Sequence, residues 1–106
     1  MIARLWHGWT LPENADPYEQ LLKSEILPAI SKKAGCRGFY LFRQNAPEEV
    51  AFITVLLFDS LDAVREFAGP DYATAVIPPE PRKLLCRFDA RAQHYDMVAS
   101  ALFPQP

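Results

Sequence analysis

Residues 50–58 read VAFITVLLF, and eight of the nine are apolar, with Thr54 the one interruption. Successive side chains of a strand point to opposite faces, so a run of this kind buries both of them. The chain must therefore supply cover for two sides of its central strand. Upstream, residues 37–45 (RGFYLFRQN) form a second strand, with Phe39, Leu41 and Arg43 on one face and Tyr40, Phe42 and Gln44 on the other. The turn Asn45-Ala46-Pro47-Glu48 joins the two into a β-hairpin.

Working outward, residues 2–10 place Ile2, Arg4, Trp6 and Gly8 on one face and Ala3, Leu5, His7 and Trp9 on the other. Both faces carry an aromatic, so neither reads as solvated. Asp16-Pro17-Tyr18-Glu19 reads as a helix start, with Asp16 as cap, Pro17 in the first helical position and Glu19 closing a capping box. A helical stripe follows at 18, 21, 22, 26, 29 and 30. Pro28 inside it predicts a kink or a short break, and Gly35 suits a left-handed cap.

After the central strand, Asp59 or Ser60 caps a second helix with the apolar face Leu61, Val64, Phe67 and Ala68, stopped by Gly69-Pro70. Residues 71–77 add at most a helical turn, and the three prolines at 78, 79 and 81 exclude regular strand or mid-helix. The stretch from Pro70 to Pro81 reads equally as a lid over a pocket, with Asp71 and Tyr72 facing it, or as a rigid connection. A short helix over 82–87 and a last strand over 90–97 complete the domain, and 98–106 is an apolar tail.

The order is β-α-β-β-α-β: an α+β, ferredoxin-like fold with a four-stranded antiparallel sheet and both helices on one face. Two helices cover one side of the sheet. The other side, with Phe, Tyr, Leu and Val, exceeds the few hundred Å² that soluble monomers expose, and a two-fold homodimer through the sheet faces is expected to cover it.

Composition narrows the partners. The 106 residues make one domain that buries about two-thirds of its unfolded surface. Eleven basic and thirteen acidic residues give a net charge of −2 with no basic run, against nucleic acid and anionic membranes. The N-terminus lacks a secretory pattern and no segment reaches the roughly 20 apolar residues of a membrane span, so the expected location is the cytoplasm. Cys36 and Cys86, without a CxxC or a nearby His, read as reduced thiols rather than a disulfide or a nucleophile.

WHG at 6–8, LPAI at 27–30, RGFYLFR at 37–43, FDSLDAVREFAGPD at 58–71 and HYDM at 94–97 resemble the antibiotic biosynthesis monooxygenase-like proteins of the dimeric α+β barrel superfamily. The resemblance spans almost the whole chain. It implies cofactor-free oxidation by O2 of a small aromatic or polyketide-like substrate, on a fold that also hosts haem degraders, isomerases and small-molecule sensors. Such chemistry strips a proton, holds the anion and leaves room for oxygen.

On this reading His7 or His94 takes the proton and Arg4 or Arg43 holds the anion. Trp6, Trp9, Tyr40, Tyr72 or Tyr95 stacks or donates. The bland alternatives are structural histidines, salt-bridged arginines and aromatics that only pack. No HxH, HxxE or carboxylate spacing supports a metal, and no cofactor is expected. The absence of a strong catalytic constellation leaves a non-catalytic binding or sensing module open. A haem role would need Trp6 or Trp9 with His94, since the first strand carries no Asn.

Overall fold

A computed structural model describes residues 1–104. Strand β1 (Ile2–Thr10) leads into α1 (Pro12–Leu21), a π-helical turn (Leu22–Ile26) and α2 (Leu27–Ser31). The hairpin β2 (Cys36–Asn45) and β3 (Val50–Phe58) follows, then α3 (Leu61–Ala68), the single turn α4 (Pro79–Arg82), β4 (Leu85–Phe88) and β5 (Gln93–Asp96). The sheet is antiparallel in the order β2-β3-β1-β4, and β5 also pairs with β1. The central strand is β3 with β1 beside it, as the apolar run demands.

Register sorts every side chain. Thr54 stands opposite Trp6 on β1 and Leu41 on β2, so the even positions of β1 and β3 share the helix side with the odd positions of β2. Tyr18, Leu22 and Leu27 of the first helical stretch pack there against Val50, Phe52, Leu56 and Phe58, with Val64 from α3. The other face carries Leu5, His7, Trp9, Tyr40, Phe42, Ile53, Val55 and Leu57, and no helix or strand among the described residues lies over it. Phe42 and Tyr95 are each 54% exposed on that side.

Three expectations are corrected. The first helix begins at Pro12, with Leu11 as its cap, so Asp16 and Pro17 lie inside it. Pro12 already fills the first helical position, where a missing N–H costs nothing. Asp16 and Glu19 are thereby released to pair with Arg43, at 2.7 and 3.0 Å. The expected short helix over 82–87 is instead the turn α4 followed by strand β4, because β1 offers an unpaired edge at Gly8–Thr10. The last strand is accordingly split: β4 and β5 occupy one lane beside β1, and residues 89–92 bulge out between them.

The expected disturbance at Pro28 takes the form of the π turn, in which Leu27 N–H reaches back to Leu22 O. Ser60 caps α3, its Oγ accepting from Ala63 N at 3.2 Å. Gly35 ends the first helical stretch with φ +83°, and a Cβ there would lie 2.5 Å from Ala63 Cβ. Gly35→Ala should cost at least about 2 kcal/mol in denaturant unfolding, from left-handed strain plus the clash. Gly69→Ala, at φ +92° with nothing within 4 Å, meets strain alone and should cost less. No described helix is long and apolar enough to cross a membrane. Residues 98–104 form no regular element, and Val98, Leu102 and Phe103 are exposed.

Candidate functional site

A cavity of about 60 Å³ lies between the helix side of the sheet and the first helical stretch. Arg4, Trp6, Thr54 and Leu56 form its floor, Leu22, Ile26 and Leu27 one wall, Phe67 another, and Val76, Ile77 and Pro78 its rim. Thr54, the interruption in the central run, therefore faces the cavity. The stretch 71–78 acts as a strap. Ala75 N bonds to Ala90 O and Ala92 N to Ala73 O, joining its first half to the bulge of the split strand. Arg91 grips Asp71 with both nitrogens, at 3.0 and 3.1 Å.

Arg4 is the centre of this side. Only 4% of its surface is exposed. Its Nη1 donates to Tyr72 O and lies 3.0 Å from His94 Nε2, while Nη2 donates to Thr74 O at 2.9 Å. Burial pulls its pKa down to about 10, so it stays cationic at neutral pH. Five other arginines, at 37, 43, 65, 87 and 91, pair with carboxylates. Arg82 lies over the Phe88 ring at the surface. Arg4 alone is both buried and without a carboxylate among the described residues.

His94 stands opposite Arg4 in the β1–β5 register, with the Tyr72 ring edge-on at 5.0 Å. A guanidinium only donates, so His94 Nε2 must accept and its proton sits on Nδ1. Burial, and then the Arg4 charge, lower the His94 pKa from 6.5. Protonating it would set two cations 3.0 Å apart. Its lone pair is spent on holding Arg4, so it is poorly placed to act as a base.

That shift has a sign. Below pH 6.5 the unfolded chain binds a proton at His94 that the folded chain resists, so stability should fall as pH drops through the window just under 6.5. The slope cannot exceed about 1.4 kcal/mol per pH unit for one group. His94→Gln keeps an acceptor for Arg4 but does not titrate. Its urea midpoint should lose that component of the pH dependence.

The residues singled out from sequence fall into three places. Arg4 and Trp6 line the cavity, with His94 and Tyr72 beside Arg4. Trp6 donates its indole N–H to Asp89 O at 2.6 Å, leaving its ring to the cavity. His7, Trp9, Tyr40 and Tyr95 lie on the opposite, uncovered face, where the His7 and Trp9 rings are 5.6 Å apart. His7 and His94 are thus on neighbouring strands but opposite sides of the sheet. Arg43, on the edge strand β2, is held by Asp16, Glu19 and Asn45 outside the cavity. Its hydrogen bonds to those two carboxylates raise its pKa.

Phe67, Ile77 and Pro78 were not legible as site residues. Phe67 read as helix core, and nothing in the proline stretch indicates which residue turns inward.

No protein-family profile and no curated protein matches the chain in sequence. Solved structures do match. An antibiotic biosynthesis monooxygenase superposes with a TM-score of 0.66 at 17% identity, over 93% of this chain and 100% of its own. A candidate antibiotic biosynthesis monooxygenase from Deinococcus radiodurans gives 0.64 at 14% identity, over 99% and 100%. The chain has the fold of the antibiotic biosynthesis monooxygenases. The heme-degrader MhuD of Mycobacterium tuberculosis, whose active site binds two hemes, shares it too, with a TM-score of 0.61 at 18% identity over 95% and 99%.

The likeness to these monooxygenases extends to the fold and stops there, so the chemistry has to be read from this chain's own cavity. That cavity does not fit a haem. Its volume is well under the roughly 150 Å³ that accommodates benzene. The imidazole on this side spends Nε2 on Arg4 instead of offering it to a metal. No group of three or more His, Cys, Asp or Glu among the described residues is arranged to hold a metal ion.

Proposed function

We propose that the chain is a homodimeric, cofactor-free monooxygenase whose helix-side cavity holds a small acidic organic substrate as its anion on Arg4. The observation that carries this is the buried guanidinium with no carboxylate partner, set in an otherwise apolar cleft. A buried cation is expensive unless something compensates it. An anionic substrate supplies that compensation, and the same cation lowers the acidity threshold at which the substrate ionises. An electron-rich anion in an apolar cleft can react with O2 directly, one oxygen atom entering the substrate and the other leaving as water.

Size restricts the substrate. By the same comparison with benzene, any ring-sized substrate, single or fused, enters only if the strap from Val76 to Pro78 lifts. Incubating the pure protein with a panel of single-ring and fused-ring phenols and enols, while following O2 consumption, tests the reaction. Uptake that is saturable in substrate and lost in Arg4→Gln supports it; no uptake with any member of the panel removes it.

The dimer rests on the uncovered face. Leu5, Tyr40, Phe42, Ile53, Val55 and Leu57 make a continuous apolar surface, and a second copy presenting the same surface is its natural cover. One observation favours a second function: among the described residues no carboxylate and no free imidazole lines the cavity, so a site that binds and releases an anion unchanged has the same parts. Ligand-dependent stabilisation without O2 uptake would select that reading.

A further inference from the structure

Arg4 carries five N–H groups, of which Tyr72 O, His94 Nε2 and Thr74 O take three. Nε–H and one N–H of Nη2 have no acceptor among the described residues. Those two nitrogens are the edge by which Arg37 holds Asp59 and Arg87 holds Glu49, each with both oxygens engaged. With Arg4 in the cavity lining, that edge is a fork available to a planar anion with two oxygens.

It presents no base. Trp6 N–H is engaged by Asp89 O, burial pushes the Tyr18 phenol well above its ordinary pKa, and the His94 lone pair faces Arg4. The ligand must bring its own acidity. One adjacent cation lowers a pKa by roughly 1–3 units, which limits the ligand to acids with pKa up to about 10. A carboxylate has the two oxygens but no carbon acid for O2 to attack. A phenolate has electron-rich carbon but a single oxygen.

We propose that the ligand head is a 1,3-dicarbonyl, held as its planar cis-enolate with both oxygens on the Nε and Nη2 edge of Arg4 and its central carbon toward the apolar wall. The fork calls for a planar anion with two oxygens; the choice of a carbon acid as that anion, and the reaction, rest on the oxygenase reading. In that reaction the central CH2 loses two hydrogens and gains one oxygen as a new carbonyl, while the second oxygen leaves with both hydrogens as water. Dioxygen is the sole oxidant.

Pentane-2,4-dione reports its own ionisation by ultraviolet absorption. At a pH where the free dione is neutral, adding the full-length protein should produce a saturable enolate band. Arg4→Lys, which keeps charge but loses the fork, should weaken the dione at least tenfold. Acetate, which has the two oxygens, should compete for the fork without producing a band, and phenol should compete at least tenfold more weakly than the dione. Ile77→Trp, filling the cavity from the strap, should abolish the band in a protein whose circular dichroism is unchanged. Dione binding without an enolate band, equal competition by phenol, or an undiminished band in Ile77→Trp would overturn the proposal. An enolate band without O2 uptake keeps the ligand and removes the oxygenase; O2 uptake with phenols and no dione band does the reverse.

Discussion

Arg4→Gln is expected to bind any anionic ligand of this site at least about a hundredfold more weakly, equivalent to about 2.7 kcal/mol. Two charge-assisted hydrogen bonds are lost at the fork, and each is worth roughly 1.5–3 kcal/mol where water is excluded. Stability should change much less than affinity. Removing Arg4 leaves Tyr72 O, Thr74 O and His94 Nε2 without a donor, but it also removes a desolvated charge that has no carboxylate. The opposing terms should leave a fall of about 1–2 kcal/mol, or roughly 4–15 °C in Tm for a domain of this size. Arg43→Gln is the matching control: Arg43 pairs with carboxylates outside the cavity, so ligand affinity should be unchanged. Calorimetric titration and thermal melts of the three proteins check both halves.

Ile53→Asp is expected to convert the protein from a dimer to a monomer. Ile53 sits on β3 between His7 of β1 and Phe42 of β2, in the middle of the uncovered face. A carboxylate buried there against the same apolar surface of a second copy would be unpaired, at a cost of about 3–5 kcal/mol per copy. In the free subunit the same side chain is wet and costs little. Sedimentation equilibrium at micromolar concentration should therefore give about twice the 12.0 kDa chain mass for wild type and a mass near 12.0 kDa for the variant. A wild-type mass near one chain would contradict the assembly. Because the cavity lies on the other side of the sheet, ligand affinity per folded subunit should survive the substitution.

The apolar run from Val50 to Phe58 was legible as the strand in the middle of the sheet because it is continuous and long enough for nine residues of pairing on each side. Its even residues meet the helices and its odd residues face outward. The facing of β1 was less readable, since Trp6 and Trp9 put an aromatic on each side and a one-residue slip would exchange them. Pairing with β3 resolves it, and with it the fate of every candidate: Arg4 and Trp6 go to the cavity, His7 to the open face.

The C-terminal lane was misread for a related reason. Residues 82–87 are too short and too irregular to show a period, and what makes Leu85–Phe88 a strand is the edge of β1, some 75 residues away in the chain. The same long-range pairing places His94 opposite Arg4. Sequence showed two charged or titratable residues in apolar strands. It did not show that one would spend its lone pair on the other.

Whether the cavity ionises what it binds is the central question, and 4-nitrophenol answers it by colour. Absorbance of the bound compound, measured across pH below its free pKa, should show the phenolate at pH values where the free phenol is neutral, and Arg4→Gln should abolish the difference. A bound phenol that stays neutral, or an equal shift in Arg4→Gln, would contradict the account of Arg4 as the anion-holding cation.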